Sequence, residues 1–127
     1  MEQKVEQAYL YDFYGELLNK RQQSIYEDFI FQDFSFSEIA ENEGISRQGA
    51  YDMVKRCTNI LEGYESKLHL VQKFLDTKKR VEKIQTLTEA YLLNKEETHP
   101  KETGETEQIN QILDQINQIS KAILESM

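Results

Sequence analysis

The sequence predicts an all-α protein, a helical bundle with a long C-terminal helix, and three observations carry that expectation. The 127 residues hold one proline and five glycines among many Glu, Gln, Lys and Leu, a composition of helix formers. Apolar residues recur at three- and four-residue spacing along most of the chain, the period of a helix that buries one face. No stretch shows the alternation of a half-buried strand. A chain of this length can bury roughly two thirds of the surface its unfolded form exposes, enough for a core without staples. The expected organisation is a domain over 1–94, a linker over 95–107 and an amphipathic helix over 108–127.

The first helix is expected over residues 3–18, with Val5, Tyr9, Phe13 and Leu17 at four-residue steps and Ala8 and Leu10 widening the stripe. Asn19 is placed to cap the second, which runs to about Gln32 and buries some of Ile25, Tyr26, Phe29 and Ile30. Lys20 and Arg21 fall in its first turn, an unfavourable place for cations beside the helix dipole. They are either a solvated turn or a clamp for backbone phosphates. Nine of the thirteen aromatic residues lie between Tyr9 and Phe36 at helical spacing. That spacing makes them core rather than a platform for stacked bases.

Residues 35–61, SFSEIAENEGISRQGAYDMVKRCTNIL, carry the most specific signal. Ser35 and Glu38 form a capping box that opens one helix, Ile39 and Ala40 supply its apolar side, and Gly44 ends it in the left-handed conformation a tight corner needs. Ile45 plugs the corner. Ser46 caps a second helix in which Ala50, Met53, Val54, Cys57, Ile60 and Leu61 share a buried face. Arg47, Gln48, Tyr51, Asp52, Lys55 and Arg56 then point outward. Cap, glycine turn, second cap, a small residue at the crossing and a polar-basic outer face together specify a helix-turn-helix unit.

Beyond Leu61 the pattern continues through Tyr64, Leu68, Val71, Phe74, Leu75, Val81, Ile84, Leu87, Tyr91 and Leu92, with Gly63 as the expected kink or boundary. Phe74, Val81 and Thr88 are seven apart, as are Thr77, Ile84 and Tyr91. Residues 95–107, KEETHPKETGETE, hold the single proline and no aliphatic residue, hence the linker. In the last segment Ile109, Ile116 and Ile123 are seven apart, as are Ile112 and Ile119, and a helix this short must dock to persist. The overlong stripe and the isoleucine heptads together predict a homodimer.

Charge is distributed unevenly. Residues 1–45 carry three Lys/Arg against ten Asp/Glu, residues 46–80 eight against four, and residues 81–127 four against nine. The net charge of −8 argues against general nucleic-acid affinity, which comes from neutralising phosphates, but the basic section contains the second helix of the motif. A single cysteine excludes an internal disulfide framework, and neither a secretory signal nor a membrane span is visible, so a soluble cytoplasmic protein is expected. His69 and His99 have no neighbour at ligand spacing, Cys57 sits on the apolar face, and no phosphate loop or isolated carboxylate pair is present. Neither a cofactor, a metal nor an enzymatic activity is expected.

The stretch LLNKRQQSIYEDFIFQDFSFSEIAENEGISRQGAYDMVKRCTNILEGYESKL resembles the fourth region of RNA polymerase sigma factors, and more closely the YlxM family of small bacterial proteins. The resemblance runs from about Val5 to Leu93 and includes SEIAE at 37–41 and GISRQGAYDMVKR at 44–56. It implies a sigma region-4-like helix-turn-helix whose outward Arg47, Gln48, Tyr51, Asp52, Lys55 and Arg56 contact bases and phosphates of DNA, or of RNA. It also implies an accessory or regulatory role in the signal recognition particle pathway. Under this reading Arg47 and Gln48 probe base edges, while Lys55, Arg56, Lys20 and Arg21 hold phosphates. The alternative is a helical adaptor that binds the targeting GTPase or its receptor through protein contacts, favoured by the acidic flanks.

Overall fold

The computed structural model describes residues 2–98 and 104–127, which divide into two compact units, 1–72 and 73–127. The elements are α1 (Gln3–Tyr14), a 3-10 turn (Gly15–Leu17), α2 (Lys20–Ile30), α3 (Phe36–Glu43), α4 (Arg47–Leu68), α5 (Leu70–Thr98) and α6 (Gly104–Ser126). Among the described residues every regular element is helical.

In the first unit α1, α2 and α3 all pack on α4. Its core holds Leu10, Tyr14, Leu18, Ile25, Tyr26, Ile39, Ala40, Ala50, Val54, Cys57, Leu61 and Val71. Two capping boxes set the helix starts. Asn19 Oδ1 accepts from Gln22 N–H at 2.8 Å, while Gln22 Oε1 accepts from Asn19 N–H at 3.0 Å. Ser35 and Glu38 exchange the same pair of bonds, both at 3.1 Å. Each side-chain cap contributes about 1 kcal/mol. The Tyr26 hydroxyl lies 2.7 Å from Thr58 Oγ1, tying α2 to α4, and burial pushes its pKa up to about 12.

The inward face of α1 is rotated from the expected one. Leu10, expected at its edge, is buried together with Gln7 and Tyr14, Ala8 and Tyr9 are half-buried, and Val5, Phe13 and Leu17 are exposed. Both stripes satisfy the helical period, and the choice falls to the side that brings Tyr14 to the end of α4.

That end is also displaced from Gly63, the expected boundary. Helix α4 continues through Gly63 to Leu68 and breaks at His69, which takes φ 55, a left-handed conformation uncommon for a residue with a side chain. The break is held by Glu65. Its Oε1 accepts from Val71 N–H at 3.0 Å and its Oε2 from Gln72 N–H at 3.0 Å, satisfying amides in the first turn of α5. The Tyr14 hydroxyl donates to Glu65 Oε1 at 2.5 Å and accepts from Leu70 N–H at 3.2 Å.

Desolvation works against the Glu65 charge, but the bonds from Tyr14, Val71 and Gln72 outweigh it and hold the carboxyl below its ordinary pKa. A carboxyl depressed by folding stabilises the native state above its unfolded pKa of about 4.3, and the contribution is lost as pH falls through the lower folded value. Glu65→Gln is therefore expected to lower stability at pH 7 by ~1–3 kcal/mol and to remove part of the acid-induced loss below pH ~4.5. Urea denaturation of both proteins across pH 3–7 checks this; curves separated by the same amount at every pH would remove the role assigned to Glu65.

In the second unit, the buried and half-buried residues of α5 include Phe74, Lys78, Val81, Gln85, Thr88 and Leu92, a heptad seam, with Leu75 and Asp76 half-buried beside its start, and those of α6 are Asn110, Leu113, Asn117, Ser120 and Leu124. Thr88 Oγ1 donates to Asn117 Oδ1 at 2.8 Å and joins the seams. The isoleucines at 109, 112, 116, 119 and 123 are on the outside, 38 to 60% exposed. Helical backbone takes in residues 95–98 and 104–107 of the segment expected as a linker, and the part of that expectation at 99–103 lies outside the described residues. Among the described residues, no helix is long and apolar enough to cross a membrane.

Candidate nucleic-acid interface

The site is built on α4 and the corner that precedes it. Gly44 closes α3 at φ 68, with Ile45 N–H donating to Ala40 O at 3.0 Å, and two residues later Ser46 Oγ accepts from Gly49 N–H at 2.9 Å to start α4. A Cβ on Gly49 would sit 3.1 Å from Ser46 Oγ, so glycine here leaves the capping hydroxyl its place. Ala50, fully buried, lets α4 approach closely, and Val54, Cys57 and Leu61 continue its inward face. Burial raises the Cys57 thiol to about 11 despite the adjacent Arg56, so it stays protonated at neutral pH.

With that face buried, Arg47, Gln48, Tyr51, Asp52, Lys55 and Arg56 are all exposed. They span about half the circumference of α4 over its first three turns. Two ridges run along this arc. On the first, Tyr51 packs edge-on against Phe36 with ring centroids 5.3 Å apart, Phe36 stacks on Phe29 at 5.6 Å, and Lys55 Nζ stands 5.9 Å from the Tyr51 ring centre. On the second, Gln48 Nε2 donates to Asp52 Oδ1 at 3.0 Å, and Arg56 follows one turn later. Among the described residues, Arg47, Lys55 and Arg56 make no ion pair with a carboxylate. Asp52 contributes the one negative charge to the arc.

Lys20 and Arg21 start α2, where both are exposed. Arg21 Nε lies 3.8 Å from Glu43 Oε2 at the end of α3, which sets this turn beside the motif. At that length and exposure the pair is weak and can be exchanged for a phosphate.

One cation at the site was not visible in the sequence. Lys4, on α1, donates to Phe29 O at 3.2 Å, pairs with Asp33 and stands 4.7 Å from the Phe29 ring centre. It borders two shallow grooves. One of about 440 Å³ runs beside Phe29, Phe36, Tyr51 and Lys55, and the other of about 410 Å³ runs beside Ser35, Phe36 and Arg47. Nothing in the periodicity of α1 signals this placement, because the contact spans 25 residues of chain. Among the described residues, no cluster of His, Cys, Asp and Glu could hold a metal ion.

What the arrangement offers is an exposed helix face with amide, guanidinium and ammonium donors along one arc, the chemistry that reads base edges and phosphates in a groove. A family model described as "Putative helix-turn-helix protein, YlxM / p13 like" matches residues 1–104 of the chain. A UPF0122 protein of Caldanaerobacter subterraneus is 51% identical over 75 residues, which cover 59% of this chain and 64% of that relative. One of Oceanobacillus iheyensis is 45% identical over 80 residues, 63% of this chain and 76% of its own length. One of Bacillus mycoides is 41% identical over 97 residues, 76% of this chain and 88% of its own length. No solved structure matches the chain.

Proposed function

The chain belongs to the YlxM / p13-like helix-turn-helix family, UPF0122, and from that premise we propose that it is a non-enzymatic accessory or regulatory protein that binds nucleic acid through the outer arc of α4. The observation that carries this reading is the trio Arg47, Lys55 and Arg56, exposed on the motif's second helix without carboxylate partners among the described residues. Arg47 and Gln48, in the first turn, meet base edges when α4 enters a major groove of DNA. Lys55, Arg56, Lys20 and Arg21 hold phosphates to either side. Tyr51, braced by Phe36, keeps Lys55 raised from the helix, and Asp52 orients Gln48.

A single motif of this size reads few base pairs, so the protein acts in the cytoplasm as two copies whose recognition helices meet half-sites about one turn apart. Fluorescence anisotropy with a labelled DNA duplex tests the reading, with an RNA duplex of the same sequence as the second arm. Binding to DNA that weakens with added salt is expected. Absence of binding to either at low salt would remove the reading.

A second reading rests on the acidic surroundings of the motif. Glu38, Glu41 and Glu43 lie on α3, and the net charge of the chain is −8. An acidic surface fits a basic ribonucleoprotein such as the signal recognition particle, whose targeting GTPase or receptor would then be the partner. Capture of the purified particle protein, with and without its RNA, separates this reading from the first.

A further inference from the structure

The apolar residues of the second unit lie in a place that a free two-helix hairpin does not explain. Thr88 and Asn117, which touch, stand 10 residues before the end of α5 and 13 after the start of α6. In a parallel arrangement the connected ends would be about 35 Å apart at 1.5 Å per residue. Five residues at about 3.5 Å each cannot span that, so the helices run antiparallel.

Along both helices the large exposed apolar residues, Leu93 excepted, sit one position before a residue of the inner seam: Ile84, Leu87 and Tyr91 on α5, and the isoleucines from Ile109 to Ile123 on α6. Stepping back one residue turns a side chain by about 100°. In an antiparallel pair that turn carries both sets to the same flank of the hairpin. The result is one continuous apolar face made by two helices, each with heptad spacing.

The inner seam is the more polar of the two. Thr88 and Ser120 are buried in it, and Asn110 Oδ1 is buried without a partner among the described residues. An isolated hairpin would present the reverse pattern, with its isoleucines inside.

We propose that this face is covered by the same face of a second copy, so that the two α5–α6 hairpins close into a four-helix bundle. The proposal rests on the two-copy reading given above and supplies its interface. Eight side chains about half exposed offer on the order of 700 Å² of apolar surface per copy, close to the ~800 Å² each partner brings to a stable interface and above the patch of a typical monomer.

The flanks identify the occupant. A two-fold contact sets each residue against its own kind or a near neighbour, so charges of one sign repel there. The positions bordering the α6 isoleucines are uncharged, Gln108, Gln111, Gln115, Gln118 and Ala122, and of those bordering Ile84, Leu87 and Tyr91 on α5, Lys83, Thr86 and Ala90, one is charged. In a chain that is 30% charged, such a border suits an identical partner better than one chosen by charge.

Sedimentation equilibrium of the full chain at micromolar concentration tests this. A mass twice the 15.0 kDa of the chain is expected for the natural protein. The double variant Ile116→Asp, Ile119→Asp is expected to weaken association by about a thousandfold while its circular dichroism stays unchanged, since both residues are outside the hairpin. A natural protein that stays monomeric overturns both the interface and the two-copy reading. A dimer that persists in the variant overturns the interface and leaves two copies standing. If aspartate reduces helicity, the milder pair Ile112→Gln, Ile119→Gln decides: association weakened at least about tenfold supports the bundle, and unchanged association overturns it.

Discussion

Replacing Arg47, Lys55 and Arg56 together by alanine is expected to weaken duplex binding by on the order of a hundredfold to a thousandfold at low salt. An arginine that reads a base edge carries about 1–3 kcal/mol, and each phosphate contact contributes about one unit to the slope of log affinity against log salt. With Arg47 at a base and Lys55 and Arg56 at phosphates, the slope is expected to fall by about 2. All three side chains are exposed and lack ion pairs among the described residues, so stability is expected to change by less than about 0.5 kcal/mol per site. Loss of binding with thermal unfolding unchanged is the predicted combination. Undiminished binding in the variant would move the interface off α4.

The second large effect concerns the rotation of α1. Leu10 is 4% exposed and packs in the core, and Leu10→Ala is expected to cost ~2–5 kcal/mol through lost burial and the cavity left behind. Val5, 43% exposed, is expected to cost less than about 1 kcal/mol on the same truncation. Urea denaturation of both variants measures the difference. The stripe through Val5, Tyr9, Phe13 and Leu17 predicts comparable losses, so equal costs would return α1 to the rotation its four-residue steps suggest.

That pair of residues shows where reading the sequence stops being sufficient. Signals carried by neighbours within a few positions were legible: the Asn19 and Ser35 caps, the left-handed Gly44, the Ser46 cap and the split of α4 into Val54 and Cys57 inside against Lys55 and Arg56 outside. The rotation of α1 was not, because two stripes fit one period and the buried one contains a glutamine, Gln7.

The break after α4 lies beyond local signals for a related reason. Gly63 is the local signal, yet the helix passes through it. His69 marks the end because Glu65 and Tyr14, 51 residues apart in the chain, meet the first amides of α5. In the last helix the isoleucine heptads were plain in the sequence, but which of two adjacent seams would be covered depended on the pairing of Thr88 with Asn117. At the site itself the outward arc followed from periodicity, whereas Lys4 reached it through tertiary contact alone.

Binding of nucleic acid by the outer arc of α4 is measured by the salt dependence of anisotropy for the natural protein on a DNA duplex. Saturable binding at ~50 mM salt and a log–log slope of roughly −3 or steeper are expected, since Lys55, Arg56, Lys20 and Arg21 each displace counterions from the duplex. No binding at that salt, or binding indifferent to it, would contradict this role of α4 and leave the helix-turn-helix as a scaffold for protein contacts.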